Sequence, residues 1–388
     1  MNEVVIVVAE AVSALGDNRS ETWQQLLAGE SAAAEVTSFP STPYYCKIAA
    51  EIKKLDSRPQ GSSRIELLLQ QLFRNLPATL PASCTLIGST LKGAIDQQEQ
   101  AWRTPAAAAG NKQFNEFARP LPLMAAELVA ENFSRNHPGL LINAACASST
   151  VALNRAASRI AAGFNDSILV WAAEIISEFV FAGFASIKAL TPDTCRPFDK
   201  NRNGLMLGEA AAALLLMSSA KAEQEGLTPL ARISGWGIAN DAIHLTAPAR
   251  DGRGLLKACR RALKRADLEA DDIAAINAHG TATIHNDLME ISAFTELFRK
   301  NSTRKNIPLH SVKGALGHTL GAAGALETTI AINALSEQCL PPTAGLIEPE
   351  IEICDQISHK RQNFSGEHLL LTNSGFGGVN AALILSKC

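Results

Sequence analysis

Apolar runs of strand length recur along this chain of 388 residues, and helical patterns follow them. Residues 4–8, 84–89, 140–142, 166–173 and 210–217 read as strands in its first part, and 229–236, 273–278, 369–371 and 381–385 in its second. Runs apolar at every position, rather than at alternate ones, bury both faces of a strand. Segments such as 65–73, 122–133, 150–163, 254–266, 288–298 and 324–335 carry apolar residues at helical spacing and would cover those faces. The alternation predicts an α/β layered fold. A similar order returns after Glu223, so the chain reads as two related halves, 1–224 and 225–388, meeting in the charged stretch 221–226. With 47% hydrophobic and 19% charged residues, the chain can fill a large core and is not of disordered composition.

Composition narrows the function classes. A net charge of −3 gives no reason to expect nucleic acid. The eight cysteines, at 46, 84, 146, 195, 259, 339, 354 and 388, form no Cys-x-x-Cys pair and no cluster with zinc-ligand spacing, so no metal is expected. They suit reduced thiols in the cytoplasm. The segment 1–12 carries Glu3 and Glu10 and lacks a basic n-region, so it reads as a first strand rather than a signal peptide. No apolar run approaches the roughly 18 residues of a membrane span.

Four stretches carry groups suited to chemistry. In 140–149 a short apolar run leads to Cys146 and then to a helix, with small neighbours that leave room for a substrate. A thiol near a helix N-terminus meets unpaired amides and the helix dipole, which favour the thiolate; the plain alternative is an inert buried cysteine. In 276–283 His279 directly follows an apolar run, where open α/β sheets place ligand sites, and the Thr281 and Thr283 hydroxyls can face one extended ligand. In 310–327 glycines at 314, 317, 321 and 324 make a tight turn holding His318, with Lys313 before it and Glu327 after. This stretch lacks the Gly-Lys-Ser/Thr end of a phosphate-binding loop. In 373–380 three glycines surround Phe376, so a backbone amide there could serve as an oxyanion donor, or the segment could be an ordinary hairpin turn. Phe179, Phe181 and Phe184 either pack a core or line an apolar channel. One cysteine, two histidines, a Lys–Glu pair and an amide-rich loop together suit thioester exchange followed by carbon–carbon bond formation.

The motifs Ala145-Cys146-Ala147-Ser148-Ser149, Arg196-Pro197-Phe198-Asp199, Asn277-Ala278-His279-Gly280-Thr281, Lys313 with Gly317-His318, and Gly375-Phe376-Gly377-Gly378 occur in the order found in elongating β-ketoacyl-[acyl-carrier-protein] synthases of the thiolase superfamily. The chain resembles that family along nearly its whole length. The resemblance implies a duplicated five-layer αβαβα fold, a homodimer or a heterodimer with a ketosynthase-like subunit, and acyl carrier protein as partner, with no cofactor. By motif position Cys146 resembles the nucleophile, His279 and His318 the decarboxylating pair, and Lys313 with Glu327 the buried ion pair that orients the second histidine. Thr281 and Thr283 resemble phosphopantetheine contacts, Asp287 and Glu290 fall at the family's acidic positions, and Phe376 resembles the gate beside an oxyanion hole that includes Cys146. The acyl pocket falls to Phe184, Ser374 and Phe376. Lys188, with Arg64 and Lys112, falls to carrier-protein docking. Ser374 stands where most relatives have phenylalanine, so the loop resembles Gly-Ser-Gly-Phe-Gly-Gly of type II polyketide ketosynthases. A non-catalytic chain-length partner would lack Cys146, and a degradative thiolase would carry a second cysteine near Phe376.

Overall fold

The computed structural model describes residues 2–57, 61–103, 121–299 and 306–388. Its main sheet has ten strands: β1 (Val4–Ser13), β2 (Thr85–Ser89), β3 (Leu140–Leu141), β4 (Ser167–Glu174), β5 (Ala210–Ser218), β6 (Ala231–Asn240), β7 (Ile273–Asn277), β8 (Leu309–His310), β9 (His368–Gly375) and β10 (Val379–Ser386). Across the sheet they run β8-β7-β9-β10-β6-β1-β5-β4-β2-β3. From each outer edge inward, both halves place their own strands in the order third, second, fourth, fifth, first. The pairing senses repeat as well. The second strand is parallel to the third and fourth, and the fifth is antiparallel to the fourth and first. The halves join through a short antiparallel contact in which Val5 faces Arg232 and Ile6 faces Ala231.

The strands are apolar at every position because both faces are covered, although the sheet is mixed rather than wholly parallel. Along β4, Ile168 and Val170 face the centre of the molecule, and Leu169 and Trp171 face outward. Helices α1 (Arg64–Phe73) and α2 (Leu121–Asn132) pack Leu68, Leu69 and Val129 on the outward face. Helix α3 (Ser148–Ala161) is central, and α4 (Arg253–Ala266) and α5 (Ile284–Arg299) cover the outer face of the second half through Leu255, Ala258 and Phe294. Helix α6 (Ala323–Glu337) lies beside α3, and the two share one core with the inner faces of both half-sheets. This is a five-layer αβαβα thiolase-type fold. The start of α6 lies so close to α3 that a side chain on Gly324 would overlap the Thr150 hydroxyl.

A further helix, Arg19–Leu27, precedes α1 and is capped by Asn18, whose side chain accepts from the Glu21 amide. Among the described residues no helix is long and apolar enough to cross a membrane.

Candidate active site

The position of Cys146, the candidate nucleophile, is set by how β3 meets α3. Between them Ala145 takes a left-handed backbone, with φ of 49°. The Ser148 hydroxyl fastens the turn, accepting from the Ala144 amide at 2.8 Å and donating to the Ala145 carbonyl at 2.5 Å. Gly375 packs on this turn; a Cβ there would come within 2.8 Å of the Ala144 oxygen. The backbone amides of Cys146 and Phe376 face the Cys146 sulfur, which makes them the candidate oxyanion donors. The expectation that the helix N-terminus would hold a thiolate is not met. Burial, with a smaller contribution from the Glu174 carboxyl, outweighs the lowering by Lys313 and the two amides and pushes the Cys146 thiol up to about 12. The thiol is therefore protonated at neutral pH.

His279 follows β7 in a turn folded by two carboxylates one helical turn apart on α5. Glu290 accepts from the amides of His279 and Gly280, each at 2.7 Å. Asp287 accepts from Thr281 at 3.1 Å and Phe198 at 2.8 Å. The family's acidic positions thus shape the backbone rather than face the cavity. The Thr281 and Thr283 hydroxyls lie 2.8 Å apart, and both residues line the cavity.

His318 is reached through Gly317, whose φ of 68° requires a left-handed backbone. Its amide donates to the Met206 carbonyl at 2.6 Å, and its carbonyl accepts from Gly208. The two imidazoles stand 5.1 Å apart between centroids, nearly edge to face at 83°. Burial, followed by the Lys313 charge, holds both well below the usual histidine range, so both are neutral.

The ion pair departs from expectation in what it touches. Lys313 Nζ pairs with Glu327 and donates to the His279 carbonyl at 2.6 Å. Glu327 in turn accepts from Asn373. The pair is therefore built onto the first histidine. Nδ1 of the second is buried with no hydrogen-bond partner.

Cys146, His279, His318, Thr281, Thr283 and Phe376 line one cavity of about 400 Å³, and Cys146 is its one cysteine among the described residues. Phe376 stacks on Phe184 at 5.9 Å and 28°. Ser374 lines the same cavity and donates to Asn380 Oδ1 at 2.7 Å. The three phenylalanines of 179–184 divide their roles. Phe181 packs in a core with Phe39 and Tyr44, Phe184 meets the cavity, and Phe179 is half-exposed beside Trp102.

The three docking residues do not assemble. Lys188 is exposed and lines the cavity. Arg64 is buried, paired with Glu209 and Asp56, so it cannot meet a partner. Its carboxylate partner lies 145 residues away in sequence, which local pattern cannot reveal. Lys112 lies outside the described residues. Two buried polar groups were not anticipated. Glu174 ends an otherwise apolar strand, itself a usable signal; burial pushes its carboxyl up to about 8, and it accepts from the Leu91 amide at 2.5 Å. Asn373 bridges Glu327 and His279. Among the described residues no group of three His, Cys, Asp or Glu side chains is placed to hold a metal ion.

Residues 79–222 match the family model for the beta-ketoacyl synthase N-terminal domain, and residues 230–346 match that for the C-terminal domain. The chain is 31% identical to 3-oxoacyl-[acyl-carrier-protein] synthase 2 of Rhizobium meliloti (strain 1021), over 100% of this chain and 99% of that protein. It is 29% identical to the protein of the same name from Coxiella burnetii (strain RSA 493 / Nine Mile phase I), over 99% of this chain and 98% of the other. Among solved structures, the ishigamide ketosynthase/chain length factor superposes with a TM-score of 0.88 at 27% identity, covering 100% of this chain and 99% of that one.

Proposed function

From the premise that this chain belongs to the β-ketoacyl synthase family of condensing acyltransferases, we propose that it joins a Cys146-bound acyl group to a malonyl unit on acyl carrier protein. The products are 3-ketoacyl carrier protein and carbon dioxide, in fatty-acid or polyketide biosynthesis. The observation that carries the reading is the convergence of Cys146, two backbone amides at its sulfur and two neutral imidazoles on one cavity.

In the first step the Cys146 sulfur attacks the thioester carbon of an acyl group on the carrier protein's phosphopantetheine arm. The amides of Cys146 and Phe376 hold the tetrahedral oxyanion. The carbon–sulfur bond to the arm breaks, and the thiol proton ends on the departing arm. Because Cys146 begins as a thiol, this transfer depends on the proton leaving with, or ahead of, the new bond. In the second step malonyl carrier protein enters past Thr281 and Thr283. His279 and His318 donate hydrogen bonds to its thioester oxygen, the bond to carbon dioxide breaks, and its electrons form the enolate. The enolate carbon attacks the acyl carbon on Cys146, the carbon–sulfur bond breaks, and the leaving sulfur takes a proton from solvent. Lys313 and Glu327 hold the first histidine's backbone in place for this step.

Lys188 at the cavity mouth suits docking of the carrier protein. A ketosynthase-like subunit, identical or not, fits the open sheet edge at β3, where Leu140 is half-exposed, and the exposed Trp102–Phe179 pair. The ketosynthase/chain length factor likeness supports the same reading. We further place the boundary of the duplication near residue 225 and the enzyme in the cytoplasm; eight free cysteines suit that compartment. The test is incubation with acyl carrier protein followed by intact-mass spectrometry. Wild type should gain one acyl mass and Cys146→Ala none; an adduct on the variant would overturn the assignment.

A further inference from the structure

Asn373, near the end of β9, is fully buried and holds three partners. Its carboxamide oxygen accepts from the Thr150 hydroxyl on α3. Its nitrogen lies 2.8 Å from Glu327 Oε2 and 3.2 Å from His279 Nδ1. The amide orientation follows from these partners, because a carboxylate offers only acceptors and a hydroxyl can donate to the carboxamide oxygen. A carboxamide nitrogen donates and cannot accept. His279 Nδ1 must therefore present its lone pair, and the ring proton resides on Nε2, the nitrogen on the other side of the ring. Protonating Nδ1 would set one N–H against another in a buried site, where an unmade hydrogen bond is costly. His318, whose Nδ1 has no partner, is under no such constraint.

We infer that Asn373 is a positioning residue that fixes His279 as the Nε2–H tautomer, so that this histidine serves the thioester oxygen as a hydrogen-bond donor and not as a base. The inference rests on the decarboxylating role proposed for His279. It adds a residue from the gate strand that ties the ion pair and the start of α3 to the state of one ring nitrogen. Backbone contacts from Glu290 place His279 but leave its tautomer open.

The test uses the full chain with ¹⁵N-labelled histidine, read by NMR without substrate, with His279 assigned by the signal lost in His279→Ala. Wild type should show a lone-pair nitrogen at Nδ1 and a protonated Nε2. Asn373→Asp supplies an acceptor instead, and should move the proton to Nδ1 and add an acid–base transition near neutral pH to malonyl decarboxylation. Its decarboxylation rate should fall about 10²–10³-fold, as for loss of one oxyanion donor, while Cys146 still acquires an acyl mass. Asn373→Ser, neutral and smaller, covers the case in which the aspartate variant does not fold; it should show mixed tautomers and an intermediate rate. A wild-type tautomer and pH profile in the serine variant, or in a folded aspartate variant, would overturn the inference. A wild type with the expected tautomer but no malonyl decarboxylation would overturn the proposed reaction and leave the tautomer assignment standing.

Discussion

In the first half of the molecule the chain passes from β3 to α3 through six residues, 142–147, whereas the equivalent passage in the second half, from β8 to α6, takes twelve, 311–322. Strand order and pairing sense are the same in both. The short passage has room for one functional side chain, Cys146, held by a left-handed Ala145 and a hydroxyl clasp from Ser148. The long one carries Lys313 and His318, and the neighbouring β7–α5 turn adds His279. Each half also buries an ion pair, Arg64–Glu209 in the first and Lys313–Glu327 in the second. Glu209 accepts from the backbone amides of Ile52 and Ile176, and neither it nor Arg64 lines the cavity, while Lys313 donates to the His279 carbonyl. A repeated frame thus places equivalent loops side by side, and in the proposed reaction the short one carries the nucleophile and the second half's loops carry the hydrogen-bond donors.

The ion pairs give the largest expected contrast. Removing the cation from a buried pair leaves an uncompensated charge, at a cost of about 3–5 kcal/mol. Arg64→Met and Lys313→Met should therefore lower stability alike in chemical denaturation. Only Lys313→Met should also slow decarboxylation in the fraction that remains folded. Equal activity in the two folded variants would break the contrast.

Glu174, at the end of β4, sharpens the account of the nucleophile. Its carboxyl, up to about 8 from an ordinary 4.5, stays protonated in the fold where the unfolded chain is ionised. Its contribution to stability is complete below about 4.5 and is lost as pH rises through about 8. Glu174→Gln keeps an acceptor for the Leu91 amide and removes the titration. The variant should lose less Tm than wild type between pH 6 and pH 9, and its Cys146 should be alkylated faster at pH 9 because one raising charge is gone. Identical Tm and alkylation profiles would show that Glu174 is not coupled to the thiol.

Smallest in effect is the gate, where Phe376 of the second half stacks on Phe184 of the first. Ser374 lines the cavity with a small hydroxyl side chain, where an aromatic ring would bring about 150–250 Å² of side-chain surface. The site should tolerate long or conjugated acyl chains, and Ser374→Phe should shift preference toward short saturated ones without preventing Cys146 acylation. Competition between a polyenoyl and a saturated acyl carrier substrate measures this. A wild type that strongly prefers the saturated chain, with no change in the variant, would remove the gate argument.

Much of this was legible in the sequence. Apolar runs gave the strands because each is covered on both faces, and the motif residues Cys146, His279, His318 and Phe376 meet at one cavity because strand ends gather their loops. Three readings failed, each for a nonlocal reason. Arg64 falls to carrier-protein docking by sequence, but Glu209 draws it inside. Helix position alone suggested a thiolate at Cys146, but burial outweighs the dipole there. The ion pair was assigned to His318 by motif order, yet the fold sets Lys313 against His279, 34 residues earlier. Asn373 was within a noted motif, but only the folded arrangement shows that its amide reaches across to Glu327 and His279.

The division of labour between the halves is the central claim, and it is tested by following two products at once in Cys146→Ala, His279→Ala and His318→Ala: the acyl mass on the enzyme and the carbon dioxide released from malonyl carrier protein. The account predicts that Cys146→Ala loses the adduct and still decarboxylates. Each histidine variant should keep the adduct and lose decarboxylation by about 10²–10³-fold. Unchanged decarboxylation in both histidine variants, or loss of both products in all three folded proteins, would contradict it.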